Sequence, residues 1–270
     1  MCFFLFTPTA FAHCTVLDDT GQSIHLSKPA KRIISLAPDI TETLYTIGAG
    51  SQLVATIAAS DYPQAAKKLP RVGAYNGLDA EAIMALKPDL IVTWSNHFAA
   101  TLNKLPIPVY VTEPKQLQDI ATTMHRLGCL SGHQVQADQV ARHFLAEIAQ
   151  LKRDHQGRTP TKVFFQIGDS ALFTINKDSW INQVITLCGG ENIFRDAALT
   201  APEVNEEAVL IANPAVIFSD ATNDAWQKRW RRFPNLQAVK DNRLISVQPD
   251  WIDRAGPRLL LGARLICSKI

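Results

Sequence analysis

Two stretches of the chain carry one pattern: EAIMALKPDLIV, from Glu81 to Val92, and EAVLIANPAVIF, from Glu207 to Phe218. Each runs glutamate, alanine and two apolar residues, then three more positions, a proline, one further residue and an apolar triplet. The first part has the makings of a short helix. Proline cannot continue that helix, and a bounded apolar triplet reads as a buried strand. A helix-turn-strand unit built twice in 270 residues, 126 positions apart, points to two α/β lobes of ordinary size.

The rest of the chain agrees. RIISLAP, from Arg32 to Pro38, is a short apolar run closed by proline and is expected to be a strand. The helix after it is expected to be capped by Asp39, to run over Thr41 to Ile47, and to end at Gly48-Ala49-Gly50. QLVATIA and PIPVYVTE add strands to the first half. KVFFQIG and RLISVQP do so in the second, where WINQVITLCGG and GPRLLLGARLICSKI read as helices. Strands alternating with helices predict mainly parallel sheets. Between Ser131 and Gln156 the apolar positions Val140, Phe144, Ile148 and Leu151 recur at helical spacing. One amphipathic helix of over twenty residues, about 35 Å long, is expected there, unbroken until Gly157. The expected layout is therefore a lobe over 13–130, a connecting helix over 131–157 and a lobe over 158–270. A ligand cleft is expected between the lobes, because ligands of open α/β sheets sit outside the strand carboxyl ends.

Residues 1–12, MCFFLFTPTAFA, form an apolar run ending in a small-x-small pattern. The run is too short to span a bilayer and reads as the tail of a secretory signal, with the mature chain starting near His13. Export to an oxidising compartment then leaves Cys14, Cys129, Cys188 and Cys267, an even set that permits two disulfides in any of three pairings. A net charge of +2, with its charges scattered, argues against a nucleic-acid or membrane surface. No GxSxG, P-loop, HExxH, GxGxxG or CxxC occurs. The glycine pairs Gly48/Gly50 and Gly189-Gly190 follow helices and read as caps. His125 and Cys129 stand at i, i+4 spacing without a further ligand pair, so packing is the expected role.

Aromatic residues, in contrast, gather at predicted strand ends. They are Tyr62 in SDYP, Tyr75 in GAYNG, Trp94 and Phe98 in TWSNHF, Phe173 in ALFT, Trp180, and Trp251 in PDWIDRAGPR. They come from both halves, and they fit a broad, flat, amphiphilic ligand better than an ion.

RIISLAPDITETLY, SDYP, LDAEAIMALKPDLIVTW, VFFQIG, LCGGENIF and DWIDRAGPR carry a family resemblance from about Arg32 to Cys267. The chain resembles the periplasmic cobalamin-binding proteins, within the helical-backbone class of ABC-importer substrate-binding proteins. SLAP followed by ALKPDLIV marks the wider class, which includes haem and siderophore binders. SDYP, CGGENIF and DWIDRAGPR narrow the resemblance to cobalamin. It implies that Tyr62, Tyr75, Trp94, Phe173 and Trp180 surround the corrin and its nucleotide loop, with Asn76 and Gly77 beside Tyr75. Asp250, Trp251, Asp253 and Arg254 match the opposite rim. Tyr75 stands where the family has tryptophan, and Asp253 replaces a glutamate. Cys188 and Cys267 match the family's disulfide. Cys14 and Cys129 have no counterpart, and a second bridge between them stays an open expectation.

The resemblance also gives the repeated glutamate a role. In this family one surface glutamate per lobe docks to arginine pockets on the two transmembrane subunits of the importer, and Glu81 and Glu207 match those positions. Both are expected in a first helical turn, after Asp79 and Asn205 as caps. There a carboxylate gains about 0.3–1 kcal/mol from the helix dipole whether or not it docks. The dipole does not require the same register in both lobes, whereas a two-fold symmetric partner does. Glu206 beside Glu207 is an alternative. The implied function is a soluble, monomeric periplasmic receptor with cobalamin as transported ligand. It is expected to have no catalytic residue, no protein metal site, no cofactor and, given a stiff hinge helix, little lobe movement. A haem receptor using Tyr62, Tyr75 or His97 on the iron is the nearest alternative. A siderophore receptor would have mainly Arg254 as its cation. A metal-assisted hydrolase built on Asp250 and Asp253 is the remote one.

Overall fold

Both copies of the repeat fold as helix, turn and strand in the computed structural model of the chain, which describes residues 13–168 and 171–270. Residues 1–12, where a signal is expected, lie outside the described residues. The elements up to Glu113 are β1 (Cys14–Leu17), β2 (Ser23–Leu26), β3 (Ile33–Ser35), α1 (Pro38–Thr46), β4 (Leu53–Thr56), β5 (Gly73–Ala74), β6 (Gly77–Leu78), α2 (Ala80–Ala85), β7 (Leu90–Trp94), α3 (Ala99–Leu102) and β8 (Val109–Thr112). Two long helices follow, α4 (Leu117–Ser131) and α5 (Gln134–His155). Then come β9 (Thr161–Gln166), α6 (Trp180–Leu187), β10 (Gly190–Asn192), α7 (Glu206–Ala212), β11 (Val216–Ser219), α8 (Ala225–Arg231), α9 (Gln237–Lys240), β12 (Leu244–Ser246), α10 (Pro249–Ile252) and α11 (Leu259–Lys269).

The chain forms two compact units. The first holds residues up to Glu113 together with Thr123–Gln139, and the second holds Pro114–Thr122 with Val140–Ile270. The chain thus passes between them three times: just before α4, within α4 and within α5. Each unit is built on a four-stranded parallel sheet, in the order β4-β3-β7-β8 in the first and β10-β9-β11-β12 in the second. Taken in chain order the two topologies are the same. The repeat falls at matching places: Leu90 lies opposite Ile33, and Val216 lies opposite Val163.

Packing follows from the pattern. Ile83 of α2 is buried against Ile34, Ala55, Val72 and Ile91. Its counterpart Val209 of α7 is buried against Phe164, Ile217, Trp226 and Trp230. Asp79 caps α2 by accepting from the Ala82 amide at 2.9 Å, and Asn205 caps α7 by accepting from the Ala208 amide at 2.8 Å. Both helices are closed by a left-handed residue just before proline, Lys87 (φ 47°) and Asn213 (φ 49°).

Three expectations change. Asp39 is not the cap of α1: Ala37 holds that place and Pro38 opens the helix, since a preset φ and a missing N–H cost nothing there. Only one glycine of each pair ends a helix, Gly48 (φ 90°) and Gly189 (φ 82°). Gly50 lies in the 3-10 turn after α1, and Gly190 opens β10. The long helix of over twenty residues is present, but it starts after Gly132 (φ 76°), and Ser131 ends α4. It is the 22-residue α5, about 33 Å long.

Disulfides close each unit separately. Cys14 of β1 is joined to Cys129 of α4, and Cys188 after α6 to Cys267 of α11, with Cα separations of 5.7 and 4.7 Å.

Candidate functional site

Aromatic side chains range from fully buried, through half-buried Tyr45, Phe98, Trp180, Phe194, Phe233 and Trp251, to exposed. Trp226, Trp230, Tyr110, Phe144, Phe164, Phe165 and Phe218 are fully buried, whereas Tyr62, Tyr75, Trp94 and Phe173 are exposed. Those four are the only exposed large aromatics among the described residues, and each belongs to the set expected from sequence.

In the first unit, Trp94 ends β7, paired with Thr112 of β8. Tyr75 and Asn76 form the two-residue turn of the β5–β6 hairpin, followed by the exposed Gly77. The hairpin needs glycine at Gly73 (φ 148°), where a Cβ would come within 2.4 Å of the Gly77 carbonyl oxygen. Tyr75 is 72% exposed, yet it is not loose. Its ring stacks on His97 with centroids 4.6 Å apart, and His97 Nε2 lies 2.8 Å from the Tyr75 carbonyl oxygen. His97 also packs edge-on against Phe98. The loop before Tyr62 is held by Arg71, which bonds Thr56 Oγ1 and donates to the carbonyls of Ile57 at 3.1 Å and Ser60 at 3.0 Å. Sequence reading had no signal for Arg71, whose partners lie up to fifteen residues away.

In the second unit the expected residues are joined by direct contacts. Trp180 opens α6, capped by Ser179, and its Nε1 donates to the Ile252 carbonyl at 2.9 Å. Asp250 accepts from Arg254 Nη2 at 2.8 Å and lies 3.5 Å from Arg258 Nη2. Gly262 lets α11 lie close beneath the half-buried Trp251, since a Cβ there would come within 2.8 Å of the Trp251 carbonyl oxygen. Phe173 bridges Ile167 and Glu203. Next along from Ile167, the Gly168 amide donates to Asp220 at 2.6 Å. Asp220 in turn shares a hydrogen bond with Asp253. The repeat itself held a signal for Asp220: it stands in the second copy where Trp94 stands in the first.

Burial of the Asp253 carboxyl, then the charge of Asp220 and the hydrogen bond to it, then the charge of Asp250, push Asp253 up to about 8 against the pull of Arg254. The residue keeps one side in solvent, so its desolvation is partial and the proton shared with buried Asp220 is the more decisive cause. At neutral pH this carboxyl is therefore a hydrogen-bond donor. Between about pH 4 and about pH 8 the folded chain holds a proton that the unfolded chain releases, so this contribution to stability is present in acid and lost as pH rises through the folded value. Asp253→Asn keeps the donor at every pH. Its melting temperature is expected to gain on that of the wild type as pH is raised from about 5 to about 9. A difference that stays constant in differential scanning fluorimetry across that range would remove the shared proton.

The repeated glutamates are separated by their partners. Glu206 is held by Arg232 at 2.8 Å and Arg229 at 3.6 Å. Glu81 and Glu207 are exposed, and among the described residues neither has an ion pair. His125 lies 2.6 Å from Asp138 and Cys129 is in a disulfide, so the i, i+4 pair is engaged otherwise. Among the described residues no group of three or more His, Cys, Asp or Glu could hold a metal ion, and no helix is long and apolar enough to cross a membrane.

Known proteins place the chain. A family model described as periplasmic binding protein matches residues 33–250. The chain is 38% identical over 253 residues to a vitamin B12-binding protein of Pectobacterium atrosepticum, covering 89% of this chain and 88% of the relative. Among solved structures it is similar to the periplasmic vitamin B12 binding protein BtuF of Vibrio cholerae, at 33% identity and a TM-score of 0.81 over 89% of this chain and 96% of that one. The periplasmic heme-binding protein RhuT of Roseiflexus shares the fold, with a TM-score of 0.77 at 23% identity over 89% of this chain and 97% of that one. With most of its length matched by the family model and by relatives well above 30% identity, the chain belongs to the periplasmic binding protein family.

Proposed function

We propose that this protein is a periplasmic receptor that captures cobalamin and delivers it to an ABC importer. The observation that carries this reading is the set of exposed aromatics, Tyr62, Tyr75, Trp94 and Phe173, in a chain otherwise able to bury its large rings. Aromatic faces supply apolar contact to a corrin, and a few polar groups orient its fringe of amides. Arg254 offers donors to amide carbonyls, and Asp250 and the remaining lone pairs of Asp253 offer acceptors to amide N–H groups. Trp180, Trp251, Asn76 and Gly77 complete the proposed contact set. No bond is made or broken, and cobalamin is cargo, not cofactor. We further propose that the mature chain starts near His13, is soluble and monomeric, and docks through Glu81 and Glu207 to two equivalent transmembrane subunits. Glu206, neutralised by two arginines, is the weaker candidate for that contact.

The test is calorimetric titration with cyanocobalamin, alongside haemin and a ferric hydroxamate. One-to-one binding of cobalamin alone is expected, tighter than about −8 kcal/mol, the value for 1 μM. Heat with haemin and none with cobalamin would keep the fold and overturn the ligand. The geometry does not favour that outcome, because His97 is engaged by Tyr75.

A further inference from the structure

The two units fill one matching place of the repeat differently. Trp94 ends β7 in the first, and at the same register in the second stands Asp220, just past β11 and 6% exposed. Its carboxyl accepts from the Gly168 amide at 2.6 Å and shares a hydrogen bond with Asp253. Gly168 is fixed from its other side by buried Gln166, whose Nε2 donates to the Gly168 carbonyl at 3.2 Å and whose Oε1 accepts from Trp230 at 2.9 Å. Ile167, next to Gly168, donates its amide to the Phe173 carbonyl at 2.9 Å. An unbroken run of bonds therefore leads from exposed Phe173 through Ile167, Gly168 and Asp220 to Asp253. Arg254 follows Asp253 in the chain and donates to Asp250 at 2.8 Å.

The fold alone does not ask for an acid at this place. Asparagine would accept from the Gly168 amide as well, without setting two carboxyl groups side by side, where each disfavours the charge of the other. A buried carboxyl bonded to a second carboxyl is a junction that holds its form only while a proton lies between the two. Of the other charged groups acting on Asp253, Asp250 adds to the repulsion and Arg254 opposes it. Arg258, just ahead of α11, lies 3.5 Å from Asp250. Asp250 and Arg254 share a segment with Asp253, whereas Asp220 reaches it from a different element.

We propose that Asp220 is a positioning residue for cobalamin, fixing Phe173 and the Asp253–Arg254 rim in one arrangement through its hydrogen bonds to Gly168 and Asp253. This rests on the reading of the site given above and deepens it. With the proton in place, Asp253 donates to Asp220, and its remaining lone pairs accept from an amide N–H of the ligand. With the proton gone, two carboxylates face each other and the junction opens between Asp220 and Asp253. Gly168 stays bonded to Asp220, so the rim shifts relative to Phe173. Binding then follows the fraction of chains that hold the shared proton, and it weakens as pH rises through about 8.

The experiment is calorimetric titration of the full chain with cyanocobalamin, which has no group that titrates between about pH 6 and about pH 9, so the profile reads the protein. The wild type is expected to weaken about tenfold by about pH 9, where about one chain in ten still holds the proton. Asp220→Asn accepts from Gly168 and donates to Asp253 at every pH. It should match the wild type at about pH 6 and keep that affinity at about pH 9. Asp220→Ala removes both contacts and should weaken binding about tenfold already at about pH 6. In a Phe173→Ala background the alanine change should cost less, since the ring it positions is gone, whereas in a Tyr62→Ala background it should cost the full amount. Melting temperatures taken at each pH separate these effects from unfolding, and Asp220→Asn carries the test if Asp220→Ala does not fold. A wild-type affinity that stays flat to about pH 9, an Asp220→Asn profile that falls with the wild type, or Asp220→Ala binding as the wild type does would each overturn the proposal and leave cobalamin as the ligand. No binding of cobalamin by the wild type at any pH would remove the functional reading and this inference with it.

Discussion

Removing the Cys14–Cys129 bridge by paired serine substitution is expected to cost the first unit about 2–5 kcal/mol, toward the upper end because the closed loop is long. The bridge spans 115 residues of sequence and the other spans 79, and each lies wholly inside one unit. Set against typical stabilities of about 5–15 kcal/mol, such a loss is large enough to uncouple the unfolding of the units. Trp94 lies in the first unit, and Trp180, Trp226, Trp230 and Trp251 lie in the second. Urea unfolding of Cys14→Ser/Cys129→Ser should therefore show an early step by circular dichroism and a later one by tryptophan fluorescence. Paired substitution of Cys188 and Cys267 should reverse that order. Coincident transitions at the wild-type midpoint would mean that the bridges constrain little.

Truncating the exposed rings is expected to have the other large effect. Trp94→Ala and Tyr75→Ala should each weaken cobalamin binding about 10- to 100-fold, the cost of one large apolar contact. Replacing Tyr62, Tyr75, Trp94 and Phe173 together should abolish binding measurable by calorimetry, though by less than the sum of the single effects. Because these side chains are exposed, melting temperatures should barely change. His97→Ala should also weaken binding, by less than Tyr75→Ala, since it removes only the stacking partner that fixes the Tyr75 ring. Tyr75→Trp, which enlarges the aromatic face, should bind at least as tightly as wild type. Wild-type affinity for Trp94→Ala would take that residue out of the proposed set.

The sheets were legible because buried strands need continuous apolar runs and helices leading into them need caps. Asp79 and Asn205 announce both. Helix α4 was not, and it holds Gly128 in mid-helix, where a Cβ would strike the Ala137 side chain at 2.2 Å, so that glycine lets α4 and α5 approach. The β1–β2 hairpin was also missed. Its turn is organised by Asp18, which accepts from the amides of Thr20 and Gln22, in a stretch that reads only as polar. For the site, the exposed aromatics were named in advance from their places at strand ends and from the resemblance. Arg71 and His97, which hold the Tyr62 loop and the Tyr75 ring, act on partners 11 to 22 residues away. Glu206 is likewise distinguished from Glu207 by its pairing with arginines 23 and 26 positions further on, which no local pattern reveals.

The way the chain shuttles between its units has a consequence for recombination. Residues 114–122 belong with the second unit although they precede 123–139, which belong with the first. A chimera of two relatives joined at a single point in the connecting segment would therefore give at least one unit a mismatched helix segment. The core positions of α4, Ile120 and Ala121 on one side and Met124 and Leu127 on the other, would then face partners they did not evolve with. Intact exchange needs crossovers near 113, 122 and 139, so one crossover cannot exchange a whole unit cleanly.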